Sequence, residues 1–406
     1  MNGYETFLKT DLMDFGAGDL GLIWESDPIK RKAVAKKILP AFSTKSLKAM
    51  EPIMHEYMDL FVTKMKQFGG KPDGLLMNDW VLWLATDMSA DLAYNLEMQQ
   101  MRDGKPSDLV TTLCGTSFVA MLMQLSKKLP LIALATPFFI PFKVLRKVPA
   151  TLKTNSAQVK RRIDSRGKTR HPDFMDYMIH ADGPPPSSKT DLIHMEQVAL
   201  QLFIAGFDPV QIVLYASMFF LVKYPSTCAT LTKEIRESFQ IYEEMKPDSL
   251  GRLKYLNAFI SEVFRVHLTV GTGMPRISPG ATVDGVYVPT GVVCQVSSFT
   301  AMRSERYFRD PLEFHPARWL PQDHSLYDIK YADDNLKAFY PFGVGPRMCT
   351  GREIAWSQIR LFLGKVLWSF DLEAVSGHEK SFNRDFRVFV MWERPELYVR
   401  FLPARG

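Results

Sequence analysis

The sequence contains little cysteine and carries no strong net charge. Its four cysteines among 406 residues are widely scattered, which excludes a CxxC metal pair or a dense disulfide framework and indicates reduced thiols facing a cytosol. The net charge of +6 is modest for this length, and no recognition motif for DNA or RNA is present. We therefore expect no nucleic-acid partner.

Long hydrophobic runs are also missing. The first residues lack a basic start followed by an apolar run, so we expect neither a signal peptide nor an N-terminal membrane anchor. The longest apolar stretch, residues 129–142, is shorter than the roughly 18 residues that span a bilayer and contains three prolines. Its composition favours burial in the core, and a surface that contacts a membrane interface is the alternative.

What the sequence does contain is enough apolar residues, 46%, for a large core. Apolar spacing predicts helices over most of the first two-thirds, including one long helix from about Leu192 to Lys223. From about Ser278, alternating patterns rich in valine and threonine predict short strands. We predict a mainly α fold with a small β portion. Because no linker divides the chain, we treat residues 1–406 as a single domain.

The most informative motif is a glycine-rich turn around one cysteine, FGVGPRMCTG at residues 342–351. A helical pattern follows, which places Cys349 near a helix N-terminus and is expected to favour its thiolate form. A cysteine thiolate can be the axial ligand of a haem iron, and glycines let a backbone approach a flat macrocycle closely. A buried structural cysteine in a tight turn is the alternative, which this ten-residue pattern makes improbable.

The run resembles the haem-binding signature of the cytochrome P450 family, aromatic-Gly-x-Gly-x-Arg-x-Cys-x-Gly, at each defined position. The resemblance implies a P450 fold, a haem cofactor with Cys349 as the ligand of its iron, and an arginine, Arg347, on a haem propionate. It also implies that Phe342 shields the sulfur.

Glu262 and Arg265 lie three residues apart on a predicted helix and can pair on one face. Alone, such a pair is more often a solvated surface contact. The segment is similar to the P450 helix that carries Glu-x-x-Arg, in which both residues are buried and bind a second arginine. The stretch DPLEFHPARW, residues 310–319, resembles the family segment that supplies it and indicates Arg318.

Two further arginines are candidates for the haem propionates. Arg276 follows the helix of Glu262, and the resemblance puts it at a propionate, although a surface position is the alternative. In the basic segment near Lys30, Arg31 stands where the family has histidine and Ala35 stands where it has arginine. This departure removes one expected contact to a haem propionate. Arg31 either replaces that contact or leaves it unmade. The neighbouring lysines could help dock an acidic electron donor or form a solvated helix face.

The long helix departs from the family at the oxygen-activating segment. In the family, a glycine opens room beside the iron, an acid feeds protons, and a threonine hydroxyl assists protonation. Here Gly206 and Asp208 are present, but Pro209 replaces the threonine. Either the substrate's hydroxyl or a water held by Asp208 delivers the proton, which we favour, or the haem reaction needs no such step, as in an isomerisation or dehydration.

The likeness is strongest to P450 monooxygenases of fungal secondary metabolism, such as isotrichodermin hydroxylase, and extends from about residue 20 onward. The family's anchor helix, first helices and first strands have no counterpart, so an N-terminally truncated form is expected, with exposed apolar surface. The resemblance implies oxidation of a lipophilic polyketide or terpenoid, with NADPH-cytochrome P450 reductase as electron donor. A catalytically impaired haem protein is another alternative. The family resides on the endoplasmic reticulum membrane; without an anchor, we expect a cytoplasmic or peripheral location on its cytosolic face.

Overall fold

The structure is a computed structural model that describes residues 6–12, 14, 16, 18–140, 142–179 and 183–404. Most of the described residues lie in helices, as predicted. The α-helices are α1 (Pro28–Ile38), α2 (Thr44–Phe68), α3 (Met77–Tyr94), α4 (Gln100–Asp103), α5 (Asp108–Gly115), α6 (Ser117–Lys128), α7 (Pro130–Ala133), α8 (Thr136–Phe139), α9 (Phe142–Asp164), α10 (Lys189–Lys223), α11 (Pro225–Ser238), α12 (Pro247–Leu250), α13 (Lys254–Val266), α14 (Ser298–Met302), α15 (Arg352–Ser369) and α16 (Phe382–Asp385).

The strands are short and antiparallel, and they form small sheets at the margin of the helical body. Two sheets have three strands, in the orders β1-β3-β6 and β2-β10-β7, and β4-β5 and β8-β9 form two-stranded sheets. The strands are β1 (Leu8–Lys9), β2 (Leu75–Leu76), β3 (Arg276–Ile277), β4 (Ala281–Val283), β5 (Val286–Val288), β6 (Val293–Cys294), β7 (Phe370–Ser376), β8 (Arg387–Val388), β9 (Trp392–Glu393) and β10 (Tyr398–Pro403).

Helix α10 is the central element of the core. It begins where the Ser188 hydroxyl accepts a hydrogen bond from the Asp191 N–H at 3.0 Å, and it ends before Pro225, whose ring cannot continue the ladder. Its contacts with α3 are extensive, and α9, α13 and α15 also pack against it. The predicted long helix is thus confirmed, and it runs through Pro209 without interruption.

The apolar stretch after Lys128 is not buried, so the favoured prediction for it was wrong. Leu131 is 84% exposed, Leu134 is 77% exposed and Phe138 is 89% exposed. The prolines divide the stretch into the short helices α7 and α8, and neither is long enough to bury an apolar face in the core. Pro141 lies outside the described residues.

The sheets differ from the predicted pattern in two places. The alternating run after Ser278 forms β4, β5 and β6 but ends in helix α14, and strand β7 arises from a segment that was not predicted. Apolar side chains on β5 and β6 are largely exposed, including Val286 at 66%, Tyr287 at 65% and Val293 at 51%.

Two described segments are long and apolar enough to cross a membrane by length and composition. They are Asp108–Lys128, which comprises α5 and α6, and Lys189–Lys223, which is α10. Helix α10 is mostly buried inside the protein, as expected for a core helix. Length and composition alone are therefore weak support for a membrane span.

Candidate active site around Cys349

The cysteine loop precedes helix α15, which begins at Arg352. Gly343 and Gly345 adopt φ angles of +72° and +75°, a left-handed conformation that residues with a Cβ rarely adopt. The Cys349 N–H donates a 2.8 Å hydrogen bond to the Phe342 carbonyl, which closes the loop. Cys349 lies just before the first residue of this helix and is exposed.

The pKa of the Cys349 thiol does not follow the expectation from the helix terminus. Although the residue has exposed surface, the atoms packed around its sulfur desolvate the thiol and raise this pKa, while a hydrogen bond from the Gly351 N–H acts in the opposite direction. The prediction that the helix N-terminus favours the thiolate is therefore corrected: in the protein alone, desolvation outweighs it. A metal ion bound to sulfur would deprotonate the thiol outright.

The Phe342 ring connects the cysteine loop to helix α13. It makes an edge contact with Phe264 at a centroid distance of 5.1 Å, and Phe264 also contacts Trp356 on α15 at 5.6 Å. Because Phe342 immediately precedes the glycine-rich turn, this aromatic cluster fixes where the loop leaves the core. A ring beside the sulfur would also exclude water from it.

The three candidate arginines for a haem carboxylate come from separate parts of the chain, and all are half-buried. Arg347 donates to the Glu25 carbonyl at 2.7 Å, which joins the cysteine loop to the segment before α1. Arg276 lies on β3 and donates to its own neighbour's carbonyl, that of Pro275, at 2.9 Å. Arg31 lies in the first turns of α1.

Glu262, Arg265 and Arg318 form the buried network that the sequence predicted. The Arg265 guanidinium donates to both Glu262 oxygens at 2.8 Å, and Arg318 Nε donates to Glu262 Oε1 at 3.2 Å. All three side chains have 0% exposure. The surface alternative for this pair is thereby excluded.

Further donors complete the network around Glu262. The Trp319 indole N–H and the His315 backbone N–H donate to its carboxylate at 2.9 Å and 2.8 Å. Although burial acts to raise the pKa of Glu262, the charges and hydrogen bonds of Arg265 and Arg318 lower it below its usual range. Asp334 forms an ion pair with Arg318. The network is a desolvated anion held by fixed cations, which links α13 to the segment before the cysteine loop.

In the middle of α10, the residues before Pro209 separate a packed face from an open one. Ala205 is exposed although most of α10 is buried, so this face of the helix is open at this point. Gly206 faces α3: a Cβ built there would lie 2.3 Å from the Ser89 Oγ, which donates to the Phe203 carbonyl at 2.8 Å. The missing side chain of Gly206 thus makes room for Ser89, which differs from the expectation that it opens room beside the iron.

Asp208 lies one turn from Gln211, whose amide donates to Asp208 Oδ1 at 3.0 Å. Burial raises the pKa of Asp208 to about 6, while the Gln211 hydrogen bond and the charge of Arg394 oppose the rise. A carboxyl that titrates near neutral pH can both accept and donate a proton under physiological conditions. Pro209 brings no hydroxyl to this position.

These residues fit a haem. Cys349 is exposed and can bind an iron atom, and a Cβ added at Gly343 or Gly345 would meet no other atom within 4 Å, which leaves open space for a flat macrocycle. Arginines from three segments can pair with its two carboxylates. Exposed apolar side chains flank the sulfur, with Val344 at 73% and Met348 at 45%. Such surface suits the porphyrin ring.

Comparison with known proteins shows the family of this chain. The family model described as Cytochrome P450 matches residues 18–400. The cytochrome P450 monooxygenase TwmD of Talaromyces wortmannii is 44% identical over 98% of this chain and 78% of its own length. BOA3 of Botryotinia fuckeliana, also a cytochrome P450 monooxygenase, is 31% identical over 99% of this chain and 78% of its own. The crystal structure of the cytochrome P450DA heme domain has a TM-score of 0.76 at 17% identity, over 99% of this chain and 84% of that one.

The fold and the cysteine loop therefore define a haem-thiolate protein. The chain belongs to the cytochrome P450 family, has haem as its cofactor and is a P450 monooxygenase. The predicted mainly α fold with a small β portion is confirmed as a P450 fold.

Several site residues were not predicted from the sequence. Arg394 has no local signal, because it lies 183 residues from Gln211 in the chain, and Asp334 pairs with Arg318 across an irregular segment. Gln211 could have been found, since it lies one helical turn after Asp208. Trp319 could have been found, since it follows Arg318 within the quoted motif.

Proposed function

We propose that Cys349 is the axial ligand of the haem iron and that this enzyme hydroxylates or otherwise oxidises a lipophilic polyketide or terpenoid in fungal secondary metabolism. The observation that carries the proposal is the exposed residue Cys349 at the head of α15, on a loop whose Phe342 contacts α13, the helix that carries the buried Glu262. The similar monooxygenases from fungi support the biological setting. Residues 1–406 act as one haem-thiolate domain.

The surrounding residues have distinct roles in this proposal. Arg347 and Arg276, with Arg31 in addition, provide permanent cations for the haem propionates, and Phe342 shields the sulfur. When bound, the haem supplies the oxidising chemistry. The protein orients the cofactor, excludes water and positions the substrate.

Apolar surface at the turn after α13 supports a lipophilic substrate. Val270 is 42% exposed and Met274 is 50% exposed, in the segment that leads to Arg276. Apolar side chains with a few polar groups are typical of small-molecule sites. These two residues are candidates for substrate contacts.

Proton delivery must proceed without the hydroxyl that Pro209 displaces. Pro209 also lacks an N–H, so the Ala205 carbonyl loses its usual i+4 helical donor, and Ala205 is exposed. In this proposal, that carbonyl accepts a hydrogen bond from a water or a substrate hydroxyl, and Asp208 supplies the proton to it. Gly206 contributes by allowing α10 to approach α3.

An electron donor and a membrane surface complete the proposal. NADPH-cytochrome P450 reductase supplies the electrons, and exposed Lys32, Lys36 and Lys37 on α1 offer positive charge to an acidic partner. The exposed side chains of Leu131, Leu134 and Phe138 provide an apolar surface for peripheral contact with the cytosolic face of the endoplasmic reticulum.

Because Pro209 brings no hydroxyl, the monooxygenase is tested against a second candidate, a haem-thiolate isomerase or dehydratase that needs no oxygen activation. The two candidates differ in their need for a reductase and for O2. A catalytically impaired haem protein, the third, would bind haem but convert no substrate.

The first test is spectroscopic. The chain is expressed, reduced and exposed to carbon monoxide, and the red-shifted Soret band that names the family is expected. Product carrying label from isotopically labelled O2, formed only with reductase and NADPH, supports the monooxygenase. Conversion without reductase supports the isomerase. Absence of haem uptake contradicts all three candidates.

A further inference from the structure

A chain of hydrogen bonds connects Asp208 to the C-terminal region through Gln211. The Gln211 amide nitrogen donates to Asp208 Oδ1 at 3.0 Å, and its Oε1 accepts from Arg394 Nη2 at 2.7 Å. Arg394 Nη1 also donates to the Gln211 backbone carbonyl at 3.3 Å. Gln211 is 3% exposed, so water has little access to compete for these bonds.

The chemistry of Arg394 fixes the orientation of this amide. A guanidinium only donates hydrogen bonds, so it must face the oxygen of Gln211 and not the nitrogen. The amide N–H group is then forced toward Asp208, where it stabilises the charged carboxylate. Without Arg394, the amide could rotate and present its oxygen to the carboxylate, which would repel it.

Arg394 is itself held in place by α10 and α3. Its guanidinium lies 4.9 Å from the centre of the Tyr215 ring, and the Tyr215 hydroxyl donates to the Pro395 carbonyl at 2.7 Å. Asn78 donates to the same carbonyl at 3.1 Å, and its own oxygen accepts from the Leu397 N–H at 3.1 Å. The backbone that follows Arg394 is thus anchored to both α10 and α3.

The other charged or titratable groups near this assembly come from separate elements. Cys114 of α5 senses the charges of Asp208 and Arg394, and burial raises the pKa of its thiol to about 11, which keeps it neutral. Asp79 of α3 and Tyr215 interact with Arg394. Among these groups, Arg394 is the cation that is linked to the Asp208 carboxylate, through Gln211.

From this geometry we propose that Arg394 and Gln211 are positioning residues, which hold the Asp208 carboxylate in its charged form and commit its Oδ1 to an internal bond. The second oxygen, Oδ2, is then left to exchange a proton at the open face of α10 around Ala205. The inference deepens the proposed role of Asp208 and rests on it for its catalytic meaning, but the link between the three residues does not depend on the substrate.

The test is an infrared pH titration of the purified protein, in which the carboxyl absorption of Asp208 is identified by its loss in Asp208→Asn. The pKa of about 6 in the wild type results from burial opposed by this clamp. Arg394→Met is expected to shift the Asp208 titration upward by about one pH unit, the size expected for losing one nearby cation. Gln211→Met is expected to produce a similar shift.

Two further variants separate positioning from general structure. Arg394→Lys keeps the positive charge, so its Asp208 titration is expected to shift upward by less than half as much as that of Arg394→Met. Arg384→Met removes an arginine that is 74% exposed and pairs with Asp385, and it is expected to leave the Asp208 titration unchanged. If Arg394→Met fails to fold, Gln211→Met and Arg394→Lys still test the link.

An unchanged Asp208 titration in both Arg394→Met and Gln211→Met would overturn the proposal. The titration requires no turnover, so its failure is distinguishable from a wrong substrate class. As a second readout, the pH profile of product formed per NADPH consumed should move upward with the Asp208 titration in the same variants. A lower yield with an unmoved profile would indicate a merely structural role and would also contradict the inference.

Discussion

The Glu262 carboxylate and the Arg265 guanidinium, three residues apart on α13, form two parallel 2.8 Å hydrogen bonds with neither side chain exposed. The remaining Arg265 N–H groups donate to the carbonyls of Met302, Pro311 and Glu313 at 2.6 to 2.9 Å. The pair therefore ties α13 to three positions in the segments that precede the cysteine loop. This explains how a contact remote from the sulfur can hold the haem-binding region.

Glu262→Gln is expected to lower the free energy of unfolding by about 3–5 kcal/mol, because two buried guanidinium groups lose their shared anion. Glu237→Gln removes a carboxylate from an exposed pair with Lys233 and is the matched control, with an expected change within about 0.5 kcal/mol. Urea unfolding of the haem-loaded protein measures both. Equal effects of the two variants would contradict the assignment of Glu262 as the buried anchor.

Gly206→Ala is expected to destabilise the protein by about 1–3 kcal/mol, because the new Cβ would lie 2.3 Å from the Ser89 Oγ. Adding Ser89→Ala should recover part of this loss by removing the hydroxyl. Gly115→Ala, also in a helix but with no atom within 4 Å of the new Cβ, is expected to be neutral or slightly stabilising. Thermal unfolding of the three variants, the double variant included, checks the packing. A stable Gly206→Ala would mean that α10 and α3 are not in close contact there.

His267 is expected to make the protein sensitive to acid. Burial, aided by the charges of Arg394 and Arg303, lowers the pKa of His267 to about 3 from an ordinary value of 6.5. The unfolded chain therefore binds a proton at a pH where the folded protein does not, and stability falls as pH drops from 6.5 toward 3.

His267→Phe should remove this loss, which amounts to at most about 1.4 kcal/mol for each pH unit below 6.5. The imidazole packs against the aromatic rings of Phe382 and Trp392 at 4.7 and 5.0 Å, so a phenyl ring suits the site. Denaturant midpoints at neutral pH and midway between the two pKa values provide the comparison, with His324→Asn as the control at a half-buried histidine. Parallel pH dependence in the wild type and His267→Phe would refute the prediction.

Cys349→Ala is expected to abolish the red-shifted Soret band of the reduced carbon monoxide complex, because no other thiol lies in the glycine-rich loop. Cys294→Ala, on strand β6, should retain the band at full intensity. Haem content per chain and the absorption spectrum are measured for both variants. Persistence of the band in Cys349→Ala would show that another residue is the iron ligand.

The fold class and the cysteine loop could be predicted from the sequence because their signals are local. Gly343, Gly345 and Cys349 lie within seven residues, and Glu262 and Arg265 share one helical turn. Spacing alone brings such residues together. The exposure of Leu131 and Phe138 could not be predicted in this way, since apolar composition does not say which surface will cover a segment.

By itself, the sequence determined the cysteine loop that we propose as the haem-thiolate site, the buried Glu262 pair with its second arginine, Arg318, and the absence of a hydroxyl at Pro209. Only the tertiary structure decided that Gly206 faces Ser89 and that Arg394 reaches Asp208 through Gln211. Arg394 is 186 residues from Asp208 in the chain (394 minus 208). No local sequence pattern predicts such a contact, because it forms only when the C-terminal region packs against α10. That packing removes water from these charged groups, which then need hydrogen-bond partners within the protein.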